Sequence, residues 1–116
     1  MKSGQLLDTL TKRADFMTLN RKGRKWTAHG VVLQALPNDL NTIRVGYTVT
    51  KKTELSAVKR NRIKRRLRAA AADVMNEVAL TGHDYVLIGR QQSATRPYES
   101  LCGDVKWCLE KLGCVK

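Results

Sequence analysis

Residues 57–68 read Ala-Val-Lys-Arg-Asn-Arg-Ile-Lys-Arg-Arg-Leu-Arg, the densest chemistry in the chain. Seven of the ten residues from Lys59 to Arg68 are Lys or Arg, and none is acidic. On a helix, Arg60 and Lys64, Arg62 and Arg66, and Lys64 and Arg68 are like-charge neighbours, each pair destabilising by about 0.2–0.5 kcal/mol. At a helix start the same cations also oppose the positive end of the dipole, at roughly a few tenths of a kcal/mol each. A solvated helix face ordinarily mixes signs, so this run reads as a surface built to hold an absent polyanion.

The rest of the charge agrees. The chain has 116 residues, a net charge of +12 and a pI of about 10.1. Residues 1–50 contribute +5, residues 51–68 contribute +8 and residues 69–116 contribute −1. A positive field confined to the first 68 residues is the footprint of a nucleic-acid-binding domain. Bond-making groups are missing from the sequence. There is no G-x-x-x-x-G-K-[ST] loop and no G-x-G-x-x-G turn. His29 and His83 lack ligand or triad spacing and read as surface or loop residues, and the ten acids form no paired-carboxylate motif for a two-metal nuclease. Cys102, Cys108 and Cys114, six apart, fit neither a zinc site nor a disulfide framework and read as reduced thiols. No run of about 20 apolar residues exists to span a membrane. Met1 to Asp8 lacks the apolar core of a signal peptide, so a cytoplasmic location is expected.

The elements that position the basic run follow from periodicity. Residues 1–9 are polar and expected to be flexible. A short helix is predicted from Lys12 to Arg21, with Leu10, Ala14, Met17 and Arg21 on one side, Phe16 and Leu19 on a second apolar edge, and Gly23 as the stop. Phe16, the only phenylalanine, is either a core anchor or a partly open ring on which a base stacks. Lys25 to Leu36 reads as one strand or a bent pair, with Gly30 as a bulge. After a Pro37-Asn38-Asp39 turn comes a strand from Thr42 to Thr50, predicted to pair with the preceding one as an antiparallel hairpin. Ile43, Val45, Tyr47 and Val49 face its core, while Arg44, Gly46, Thr48 and Thr50 face water or a ligand. Ser56 is the N-cap of a long helix running to about Leu80 and stopped by Gly82. Its buried stripe is Ile63, Leu67, Ala70, Val74 and Val78. Asn61, Lys64, Arg65 and Arg68 lie opposite, with Arg62 and Arg66 on the flank and Arg60 beside the stripe. A strand buried on both faces follows from Asp84 to Gly89. The last helix runs from Pro97 to Leu112, with Leu101, Val105, Cys108 or Leu109, and Leu112 inward, Trp107 as a packing residue and the three cysteines too far apart around the helix to meet. The whole is a single α+β domain with a β-α-β crossover.

With these elements in place, Ala57 to Arg68 closely resembles the signature of the protein subunits of bacterial ribonuclease P, an Arg-Asn-Arg core on a long helix followed by Lys-Arg and a further Arg. Arg44 to Lys52 is similar to that family's strand into a Lys-Lys pair. Lys12 to Phe16 with Gly23 is similar to its first helix, and Asp84 to Ile88 to its last strand. The resemblance implies a ribosomal-protein-like two-layer fold with a mostly antiparallel sheet of about four strands and a left-handed crossover. It implies an accessory subunit of an endoribonuclease that removes the 5′ leader of precursor tRNA, with catalysis and Mg2+ belonging mainly to a large RNA subunit and the substrate. Lys51, Lys52, Arg60, Asn61, Arg62, Lys64, Arg65 and Arg68 would face the RNA subunit. Lys12, Arg13, Phe16, Arg44 and Thr48 would line the leader path. No protein-bound metal and no catalytic side chain is implied. Three places depart from the family pattern: Asn20 stands where a second aromatic is common, the loop Thr53–Ser56 is one residue longer than usual, and Ala69 stands where a Glu often follows the last Arg. The alternative reading is a ribosomal-type structured-RNA-binding protein with no part in tRNA processing.

Overall fold

A computed structural model describes residues 7–116. The elements in chain order are β1 (Leu7–Thr9), α1 (Arg13–Lys22), β2 (Arg24–Thr27), β3 (Val31–Pro37), β4 (Ile43–Thr48), α2 (Ala57–Val78), β5 (His83–Gly89), a 3-10 turn (Gln91–Ala94) and α3 (Tyr98–Lys111). The strands form one sheet in the order β1-β4-β5-β3-β2.

The sheet has five strands rather than about four, and it is mixed rather than mostly antiparallel. β1–β4 and β4–β5 are parallel, while β2–β3 and β3–β5 are antiparallel. The predicted hairpin between β3 and β4 does not form, because β5 lies between them. The strand with apolar residues on both sides takes the centre, where both faces are covered: Tyr85, Val86 and Leu87 are all buried. The segment between β3 and β4 must therefore arch over the start of β5. It is held there by the Asn38 amide donating to the Gly82 carbonyl (2.9 Å) and the Gly82 amide donating to the Thr42 carbonyl (3.0 Å). Gly82, at φ +74°, shapes this junction. The helix stop is earlier, at Ala79.

Two further expectations change. Leu7–Thr9 is not flexible chain but an edge strand on β4, continued by the Leu10 amide to the Val45 carbonyl (2.9 Å). It escaped notice because three residues, two of them exposed, carry no period. Residues 1–6 lie outside the described residues. Gly30 marks no bulge but the tight turn between β2 and β3. A Cβ there would come within 2.7 Å of the Asp104 carboxylate, which accepts from the Gly30 amide (3.0 Å) and from Arg96 (2.8 Å).

The sheet has two unequal faces. One carries α2 and α3 over the main core: Leu33, Ile43, Val45, Tyr85 and Leu87 against Ile63, Leu67, Ala70, Ala71 and Met75, with Leu101, Val105, Cys108 and Leu109 from α3. On α2 the stripe widens to include Ala71 and Met75, leaving Val74 and Val78 only partly buried, because α3 as well as the sheet packs on its C-terminal half. Among the described residues, the other face carries only α1, on a small cluster of Leu10, Leu19 and Val86 with Phe16, Leu36 and Ile88. Leu19 is the helix's single buried residue. Ala14 and Met17, expected on its packing side, are exposed. Cys102, Cys108 and Cys114 are free thiols, and Cys114 lies past the end of α3. Trp107 is packed edge-on against Trp26 (5.8 Å between centroids) at the sheet margin rather than in the core.

Candidate nucleic-acid interface

The basic helix begins where expected. The Ser56 hydroxyl accepts from the Lys59 amide (3.2 Å), and the first turn holds no acid to offset the cations behind it. Burial of Ile63 and Leu67 then fixes which way the remaining side chains point. Asn61, Arg62, Arg65 and Arg68 are exposed, and Lys64 is half-buried. Lys51 and Lys52 are exposed on the turn leading into the helix, which is closed by the Thr53 and Glu54 amides on the Thr50 carbonyl (both 3.1 Å).

Two arginines of the run belong to the fold. Arg60 donates from Nη1 to the carbonyls of Glu54 and Leu55, both at 2.8 Å, and so holds the preceding loop. This matches its position beside the buried stripe. Arg66 donates to the carbonyls of Ser93 and Arg96, tying α2 to the approach to α3. Arg68 turns toward the sheet, its guanidinium carbon 5.1 Å from the centre of the Tyr47 ring. Burial pushes the Tyr47 hydroxyl up to about 12 against the opposing pull of Arg68, so it remains a neutral phenol at physiological pH.

Opposite α2, a cleft of about 600 Å³ opens between α1 and the sheet. Register explains it. Lys25, Gln34, Val86 and Gly46 form one row across the strands, and Thr27, Val32, Ile88 and Thr48 form the next on the same face. Phe16 packs onto the first row at Gly46, where an added Cβ would sit 2.5 Å from the ring. The second row has no helix over it, and its Val32, Ile88 and Thr48 are half-exposed. Phe16 is therefore both anchor and cleft wall, half-buried with one side on the sheet. Arg13 and Thr48 line the cleft as expected, joined by Thr11, Met17 and Asn20. Asn20 accepts from the Gln34 amide (3.2 Å) on the cleft floor. Gln34 was missed, although a lone polar residue in the run Val31–Leu36 was its signal.

Lys12 is exposed ahead of α1 and does not line the cleft. Arg44 is also absent from its walls. Its guanidinium makes a two-point ion pair with Asp84 (2.7 and 2.6 Å), and Asp15 of α1 lies 3.7 Å away. The hydrogen bonds to Asp84, ahead of its charge, hold the Arg44 guanidinium above its ordinary pKa. The sequence offered no partner for Arg44 because Asp84 lies forty residues away and reaches it only through β4–β5 pairing.

Among the described residues, no group of three or more His, Cys, Asp or Glu side chains is placed to hold a metal ion. The buried carboxylates of Asp84 and Asp104 are engaged with arginines. No helix among them is long and apolar enough to cross a membrane.

Fold and site together define a small α+β RNA-binding protein with a basic helix and a separate cleft. A family model described as Ribonuclease P matches residues 7–113. The chain belongs to the ribonuclease P protein family, the accessory protein components of a tRNA-processing ribonucleoprotein enzyme. The ribonuclease P protein component of Paramagnetospirillum magneticum is 45% identical over 115 residues, covering 95% of this chain and 86% of that one. That of Gluconacetobacter diazotrophicus is 47% identical over 105 residues, covering 90% of each. The RNase P protein of Staphylococcus aureus superposes with a TM-score of 0.77 at 24% identity, over 93% of this chain and 97% of that one. The Thermotoga maritima RNase P protein does so at 0.73 and 21% identity, over 85% and 92%. The resemblance drawn from residues 57–68 is thereby borne out.

Proposed function

We propose that the N-terminal half of α2, with Lys51 and Lys52, binds the catalytic RNA subunit in the cytoplasm, while the cleft beside Phe16 holds the 5′ leader of precursor tRNA. The protein thereby promotes endonucleolytic removal of the leader. Magnesium ions belong mainly to the RNA subunit and substrate, and this chain supplies charge and position only.

The observation that carries this reading is the meeting of the two surfaces at Tyr47. Tyr47 borders the cleft, and its ring, on the opposite face of β4 from Gly46 and Thr48, lies under Arg68 of the basic helix. β4 thus carries the cleft on one face and the basic helix on the other, which sets a strand held in the cleft close to the largest positive charge of the chain. Cations there neutralise phosphate crowding that divalent ions would otherwise screen. The protein is expected to lower the magnesium concentration at which a cognate RNA subunit cleaves precursor tRNA. Reconstitution with and without protein at low magnesium measures this, and equal rates would sink the proposal.

Phe16→Ala separates the cleft from the helix. It should weaken binding of leader-bearing substrate by about 1–3 kcal/mol, the value of one base–aromatic stack, and leave mature tRNA affinity unchanged. Equal losses for both RNAs would reduce Phe16 to an anchor of the Leu10–Leu19–Val86 cluster.

A further inference from the structure

Trp26 and Trp107 are the only tryptophans in the chain, and both are exposed, by 37% and 43%. Neither belongs to the basic helix or to the cleft. Pairing of Trp26 with Leu33 and of Arg24 with Ala35 puts both side chains on the α2/α3 face of the sheet. Lys25, which pairs with Gln34, points to the cleft face. Among the described residues, β2 is an edge of the sheet. Trp107 meets Trp26 there from α3, whose buried Cys108 donates its thiol to the Trp26 carbonyl (3.5 Å).

The two rings make a fixed corner. Their centroids are 5.8 Å apart and their planes meet at 86°. The Lys111 ammonium stands 5.9 Å from the centre of the Trp26 ring and 5.7 Å from that of Trp107. A cation at that range is attracted by the ring quadrupoles. One turn before Trp107, on the same side of the helix, is Gly103, where an added Cβ would meet nothing within 4 Å. Packing does not require a glycine there, and glycine weakens a helix interior. With it, no side chain stands beside Trp107 on that turn.

The charge around the corner selects its occupant. Arg24, Lys106 and Lys111 are exposed, and the one exposed acid from Lys106 to Lys111 is Glu110. A second copy of a chain carrying +12 is repelled, and an apolar peptide would have to bury the Lys111 ammonium. A nucleotide offers a flat ring to the tryptophans and a phosphate to the cation. The corner lies on the same sheet face as α2, and the sheet separates it from a strand held in the cleft. We infer that Trp26 and Trp107 stack an unpaired nucleobase of the RNA subunit, with Lys111 on the adjoining phosphate. This adds a third RNA contact to the two surfaces proposed above and rests on the placing of the RNA subunit against α2.

Because the chain has no other tryptophan, its intrinsic tryptophan emission reports on this corner alone. The test titrates wild-type protein with cognate RNA subunit and measures binding in parallel by filter retention. Emission should be quenched in step with binding. Trp107→Leu keeps an apolar side chain at an exposed position, and thermal unfolding checks that it is folded. It should weaken RNA-subunit affinity about tenfold, within the range of one base–aromatic stack, without changing the salt slope. Lys111→Gln should make that slope shallower by about 0.7, the contribution of one single-strand phosphate. RNA that binds without altering the emission would overturn the inference alone, and so would folded Trp107→Leu of wild-type affinity. Equal quenching by precursor tRNA without the RNA subunit would make the corner a substrate contact and overturn it. Emission of the free protein that shifts with concentration as a dimer forms in sedimentation would assign the corner to a second copy and also overturn it. Wild-type protein that does not bind the RNA subunit would overturn this inference and the proposed α2 interface together.

Discussion

Replacing Arg62 and Arg65 together by Glu is expected to weaken assembly with the RNA subunit by about a hundredfold or more at physiological salt, with the fold intact. Each phosphate contact contributes a slope of about 0.9 in log affinity against log salt, so the double variant's slope should be shallower by roughly 2. Stability should hold or rise. Both side chains are exposed and carry no part of the core, which α2 builds from Ile63, Leu67, Ala70, Ala71 and Met75. The change also removes like-charge crowding: Glu at 62 would stand four residues before Arg66, an attractive spacing of about 0.3–0.5 kcal/mol. A titration of RNA affinity over salt, beside a thermal melt, measures both effects. Undiminished affinity would remove this face of α2 from the interface. A lowered melting temperature would show that the two arginines serve the fold, as Arg60 and Arg66 do.

Arg44→Ala should have the largest effect on stability, about 3 kcal/mol. Asp84 is buried, and its carboxylate takes two hydrogen bonds from Arg44 and one from Asn38 (2.8 Å). Without Arg44 the charge keeps only the Asn38 amide. Breaking a buried pair from one side costs about 3–5 kcal/mol, and the remaining donor places this case at the low end. Asp84→Ala should cost less, because the Arg44 side chain is 29% exposed and turns to Asp15 or water. Arg44→Lys should rescue little, since an ammonium cannot reproduce the two-point geometry. Chemical denaturation of the three variants gives the order. Unchanged stability with weakened leader binding would return Arg44 to the RNA surface, where the sequence had placed it.

The way these two arginine pairs part shows where legibility ended. The exposure of Arg62 and Arg65 was readable because it depends on a local quantity: helix periodicity sets them away from Ile63 and Leu67. Arg60 was half-readable, since its angle put it beside the stripe while its carbonyl partners lie in the irregular loop before the helix. The Asp84 partner of Arg44 was not legible because alternation tells which face of a strand a residue occupies and nothing of what the neighbouring strand sets beside it. Phe16 stood open between anchor and stacking ring, and the close approach to Gly46 shows that it packs with one side and lines the cleft with the other.

By itself the sequence determined the α+β class, the long Ser56-capped helix, its basic end and core stripe, the doubly buried last strand, and the family signature. All of these rest on residues close together in the chain, where a period of 3.6 or 2, a cap or a motif spacing is sufficient cause. Strand order was decided only by the tertiary structure. β5 enters between β3 and β4 because its two apolar faces need cover on both sides, a competition among segments whose paired residues lie up to 58 apart (Val31 and Gly89) and that no local pattern records. From that one insertion follow the Arg44–Asp84 pair and the open row beside Phe16. The basic run was visible as a charge anomaly in the chain; the cleft across the sheet from it exists only once β5 is in place.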